Sequence, residues 1–84
     1  MTYDVRLKPK FIRQLKKLDK KQAERILVKV YLLGSDPYPT ASKQLKGIAA
    51  RRLRVGDYRI LYSVEGSKLI VLVLAVGHRK DVYR

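Results

Sequence analysis

Leu69-Ile70-Val71-Leu72-Val73-Leu74-Ala75-Val76 is the longest apolar run in the chain. It has no polar face, so it must be covered on both sides, which suits an interior strand of a sheet. It is also far too short to span a membrane. Any fold for this sequence has to be built around that strand.

The segments before it have the periods of its neighbours. Arg52-Leu53-Arg54-Val55 alternates apolar and polar, and Gly56-Asp57 marks a turn. Tyr58-Arg59-Ile60-Leu61-Tyr62-Ser63-Val64 is rich in strand formers, and Glu65-Gly66-Ser67 turns the chain again. Together with the apolar run this predicts a meander of three strands.

The first half changes period. Tyr3-Asp4-Val5-Arg6-Leu7 alternates and predicts a short strand. Pro9 suits the first turn of a helix, and Phe11, Ile12, Leu15 and Leu18 follow at helical spacing. Asp19 with Gln22 three residues on has the form of an N-cap. A second helix then carries Ala23, Ile26, Leu27, Val30 and Tyr31 on one stripe, and Gly34 is placed to end it. The two helices form a hairpin with almost no connection. Gly34-Ser35-Asp36-Pro37-Tyr38-Pro39 is a loop inside the domain, not a linker. The expected order is β-α-α-β-β-β: one α+β domain over residues 1–84, with the hairpin packed on one face of a small, mainly antiparallel sheet.

Charge limits the function. The chain of 84 residues has 20 Lys+Arg against 7 Asp+Glu, a formal net charge of +13. Ten basic residues fall in positions 1–34 and ten in 35–84, so the charge is not a tail. A polyanionic partner is expected: nucleic acid, a ribonucleoprotein or an acidic protein. The absence of cysteine excludes disulfides and thiolate metal sites, and a single His cannot build a His-rich one. No apolar signal region opens the chain, so a cytoplasmic location is expected, with no membrane partner.

Alternation also aims the charges. If Leu53 and Val55 face the core, Arg52 and Arg54 face away from it, and Arg59 sits on the adjoining strand. Three guanidiniums then converge on one face, an arrangement that stability alone disfavours. For each arginine taken singly, a solvated surface is the plainer reading. Gly77-His78-Arg79-Lys80-Asp81-Val82-Tyr83-Arg84 adds a fourth arginine, the His and an aromatic. Such a set suits phosphate held by Arg forks and a base stacked on a ring. On the hairpin, Arg13, Lys16, Lys17, Lys20 and Lys21 are either the solvent side of an amphipathic pair or a second, phosphate-tracking patch that binds RNA or the ribosome.

Leu45-Lys46-Gly47, the stretch Arg52-Leu53-Arg54-Val55-Gly56-Asp57-Tyr58-Arg59-Ile60-Leu61-Tyr62, and Val76-Gly77-His78-Arg79-Lys80-Asp81-Val82-Tyr83 closely resemble the RelE/ParE toxin superfamily. The likeness covers nearly the whole chain. It implies a RelE-like fold, similar in outline to small microbial ribonucleases. It implies a toxin of a type II toxin–antitoxin system that cuts mRNA on the ribosome without metal or other cofactor, by attack of the substrate's own 2′-OH. It implies an acidic, RelB-like cognate antitoxin as partner, beside the ribosome and mRNA. The superfamily's site residues fall on Arg52, Arg54, Arg59, Arg79 and Tyr83. The RelE pattern has lysines at the positions of Arg52 and Arg54, and an arginine cannot give up its proton near neutrality. Proton transfer is therefore open between Tyr83, His78 and a ribosomal group. The ParE branch shares the fold and inhibits DNA gyrase without cutting RNA; a non-catalytic RNA-binding homologue is the other alternative.

Overall fold

A computed structural model describes residues 2–78. Among these the order is β1 (Asp4–Leu7), α1 (Pro9–Leu15), α2 (Lys20–Leu32), β2 (Ser42–Gln44), β3 (Arg51–Val55), β4 (Tyr58–Glu65) and β5 (Ile70–His78). The strands make one sheet in the order β1-β5-β4-β3-β2, in which only β1 and β5 run parallel. The result is the expected α+β fold, with the apolar run in the interior between β1 and β4.

Both helices cover the same face. Phe11, Leu15, Ile26, Val30 and Leu33 form one buried cluster with Leu53, Val55, Ile60, Tyr62, Val71, Val73 and Val76. In α1, Phe11 and Leu15 lie one turn apart and are both buried, and Pro9 opens the helix where its missing N–H costs nothing. In α2 the buried Ile26 and Val30 repeat that spacing. The Asp19 carboxylate accepts from the Gln22 N–H at 2.9 Å, as its N-cap position predicts.

Four details differ from the sequence reading. α1 ends at Leu15, so Leu18 lies in the connection and the hairpin is joined by residues 16–19. α2 ends with Leu33 in right-handed helical conformation, and Gly34 does not adopt a positive φ. Gly34 is there for space: a Cβ on it would sit 3.0 Å from the Tyr3 carbonyl oxygen, while the Gly34 carbonyl accepts from the Tyr3 N–H at 2.7 Å. The short edge strand β2 was not anticipated, since Ser42-Lys43-Gln44 has no apolar alternation; it pairs along β3, Ser42 with Leu53 through Gln44 with Arg51. Leu69 lies outside the strand, in the turn before β5, with φ 54°. Its carbonyl accepts from Asp4 N–H at 2.7 Å, which ties the entry of β1 to that turn.

Candidate arginine face

The site begins with the alternation of β3. Leu53 and Val55 are buried under the helices, which turns Arg52 and Arg54 to the opposite face of the sheet. Gly56 has φ 58° and Asp57 does not share a positive φ, so the two-residue β3–β4 turn carries glycine where a II′ hairpin needs it. That turn pairs Val55 with Tyr58 and, one step on, Arg54 with Arg59. The Arg54 N–H is directed away from β4, to the Ala41 carbonyl at 3.2 Å. Arg54 and Arg59 are therefore a non-hydrogen-bonded pair, the kind whose Cα atoms approach to about 4.5 Å. Arg52 projects from the same face two residues along β3, opposite Leu61.

The two paired arginines differ in depth. Arg54 is exposed, whereas Arg59 retains only 8% exposure. Arg52 is half-buried. Alternation sets the face on which Arg59 lies but not its depth, and Arg59 is the buried member of the group. An arginine held this far from water loses packing as well as charge when it is truncated.

Arg51 has a different task. It lies on the helix side with Leu53, its guanidinium 5.0 Å from the Tyr38 ring centroid and donating to Ser42 Oγ at 3.0 Å. Tyr62 Oη donates to the Pro37 carbonyl at 2.7 Å in the interior. These contacts fasten the proline loop and β2 against β3.

His78 is not brought to the arginine face. It pairs in register with Tyr58, on the side of the sheet that carries Val76 and Ile60, and its ring meets Tyr58 edge-on at 6.0 Å. Gly77 is the β5 residue opposite Arg59. Arg79 and Tyr83 lie outside the described residues. Arg13, Lys16, Lys17, Lys20 and Lys21 are all exposed on the helical layer, with the sheet between that layer and the arginines. Basic residues read as two groups thus occupy two sides of the molecule.

Sequence reasoning missed a cleft of about 370 Å³ beside Arg54. The end of α2 (Lys29, Leu32, Leu33), the proline loop (Pro39) and Leu53 form its walls. Val28, Tyr31 and Leu32 of α2 are more than half exposed. The mixed pattern of α2 was the available signal, since its apolar positions exceed what one buried stripe requires. Among the described residues, no three His, Cys, Asp or Glu side chains are placed to hold a metal ion, and no helix is long and apolar enough to cross a membrane.

Comparison with known proteins bears on this geometry. The family model for the ParE toxin of type II toxin–antitoxin systems (parDE) matches residues 5–83. The chain belongs to this toxin family. A RelE-like toxin protein of Escherichia coli is 32% identical over 88 aligned positions, covering 99% of this chain and 92% of that one. Solved toxin–antitoxin complexes share the fold of this toxin, two of them as follows. RelE of the Pyrococcus horikoshii RelE–RelB complex has a TM-score of 0.84 at 28% identity, covering 98% of this chain and 100% of the other. The Mycobacterium tuberculosis toxin–antitoxin complex RelBE2 gives 0.81 at 28% identity, covering 94% and 100%. The toxin is thus a member of the RelE/ParE superfamily, as its motifs imply.

Proposed function

We propose that this toxin is a ribosome-dependent mRNA endoribonuclease that halts translation. The observation that carries the reading is the direct cross-strand pairing of Arg54 with Arg59, with Arg52 on the same face. Like charges directly opposite one another destabilise a sheet, so an arrangement of this kind is best understood through an anionic ligand. Arg forks suit a phosphate, and they suit still better the extra charge of a pentacoordinate phosphorus.

In the proposed reaction the substrate's 2′-oxygen bonds to the adjacent phosphorus as the bond from phosphorus to the 5′-oxygen breaks. The 2′-OH loses its proton to a base and the leaving 5′-oxygen gains one, so a 2′,3′-cyclic phosphate and a 5′-hydroxyl result. Arg54, Arg59 and Arg79 stabilise the charge on phosphorus, with Arg52 beside them, and Tyr83 orients or stacks the base. His78 lies on the other face against Tyr58, away from the arginines, which leaves the proton to Tyr83 or a ribosomal group. Ribosome binding draws on the lysines of the hairpin as well, through rRNA phosphates.

The partner in storage is an acidic, RelB-like antitoxin. Support comes from the +13 charge, the exposed Val28, Tyr31 and Leu32, and the RelB partners of the archaeal and mycobacterial relatives. A contact that mixes ion pairs with apolar burial should weaken with salt and still persist in about 1 M salt, where surface ion pairs are screened.

Primer extension on an mRNA in a purified translation system, with and without ribosomes, tests the activity. A cut at a ribosome-occupied codon is expected, and none on naked RNA. The ParE name of the matching family favours one alternative, inhibition of DNA gyrase. DNA breaks with translation intact in expressing cells would select it.

A further inference from the structure

β5 contains an irregularity with a specific fastening. From Ile70 to Val73 it pairs with β4 in one register, Glu65 with Ile70 through Tyr62 with Val73. From Ala75 to His78 it pairs in another, Leu61 with Ala75 through Tyr58 with His78. Leu74 is the extra residue between them, so the strand carries a one-residue bulge. The apolar run cannot choose between this ladder and an unbulged one, since nearly every side chain in it tolerates either face.

On its other side β5 loses its neighbour at the same place. β1 pairs only as far as Leu7 with Val73, and the chain then enters α1. Just beyond, the Val76 N–H donates not to a strand but to the side-chain oxygen of Gln14, at 2.8 Å and across 62 positions of sequence. Gln14 lies on α1, between the buried Phe11 and Leu15, and is half-buried itself.

We infer that Gln14 is a positioning residue for the arginine face: by holding Val76 N–H it keeps the bulge, and so sets which face Gly77 and His78 present. In the bulged ladder Val76 is in the core, Gly77 is opposite Arg59 and His78 is against Tyr58. Without the bulge the register beyond Leu74 slips by one. Val76 would then stand opposite Arg59, and His78 would turn to the arginine face, since a one-residue slip flips every side chain. The catalytic consequence rests on the nuclease reading; the register does not.

The test compares the full-length parent with Gln14→Leu, Gln14→Asn and Gln14→Glu. Leu has no acceptor, Asn is one methylene short, and Glu keeps both oxygen and reach. In the slipped ladder Gly77 takes the outward-facing N–H position that Val76 holds in the bulged one, so loss of the hydrogen bond should speed Gly77 amide exchange by about tenfold or more, and the NMR contact between the Tyr58 and His78 rings should disappear. Single-turnover cleavage at saturating ribosomes should fall by about 10²-fold, as for a misplacement of an ångström or so, with ribosome affinity unchanged. Gln14→Glu should restore all three. The inference is overturned if Gln14→Leu and Gln14→Asn keep both Gly77 protection and the ring contact. It is equally overturned if those change while cleavage does not, or if Gln14→Glu fails to rescue. Should Gln14→Leu not fold, Gln14→Asn decides by the same readouts. A parent that cuts no RNA sinks the nuclease reading alone, and amide exchange with the ring contact then judges the register.

Discussion

Arg54 and Arg59 face each other directly across β3 and β4, yet one stands in solvent and the other is 8% exposed. Their separation along the chain is set by a two-residue turn, and their shared face by alternation. Their unequal burial divides what each contributes to folding from what each offers an anion.

Truncation should therefore separate the two. Arg54→Ala is expected to leave the melting temperature unchanged or slightly raised, because it relieves like-charge repulsion at an exposed position. Arg59→Ala should lower it, through lost packing of a buried stem. Both should slow single-turnover cleavage by about 10²–10³-fold per folded molecule, the cost of one lost transition-state donor. Thermal unfolding paired with cleavage on each variant reads this out. Parental cutting by folded Arg54→Ala would remove the main support for the nuclease reading.

Arg51 supplies the control. Its cation–π contact with Tyr38 and hydrogen bond to Ser42 are structural. Arg51→Ala should cost about 1–2 kcal/mol of stability and leave the cleavage rate of the folded fraction within about twofold, since Arg51 lies on the helix side with Leu53 and not on the arginine face. Denaturant unfolding and the cleavage assay check the two halves.

Gly34→Ala tests the close approach of β1 to the end of α2. A Cβ 3.0 Å from the Tyr3 carbonyl meets backbone, not a side chain that can swing aside. The expected loss is about 1–3 kcal/mol, the range for forced overpacking. Unfolding at a parental denaturant midpoint would show that β1 moves freely.

The helical lysines should govern affinity and not chemistry. Lys16, Lys17, Lys20 and Lys21 are exposed on the layer away from the arginine face. Reversing their charge should weaken ribosome binding and flatten its salt dependence by about one unit of slope per lost phosphate contact. Cleavage at saturation should hold. A collapse of the saturated rate would place these lysines in the active site.

Local periodicity carried much of this molecule. The alternation of Leu53 and Val55 with Arg52 and Arg54 is a property of four adjacent residues, and it aims the arginines whatever else the chain does. Asp19 caps α2 through a residue three positions on, and Pro9 opens α1 through its own ring. The family was legible because its motifs lie in short stretches. What depended on contacts distant in sequence was not legible. How deep Arg59 sits depends on what packs over it, not on the alternation that sets its face. Ser42-Lys43-Gln44 is a strand only because β3 offers it an edge. Leu69 to Val76 shows no period, so it could announce a buried strand but not its register. That register is decided across 62 positions, where a glutamine on the first helix holds the one amide that keeps the bulge in place.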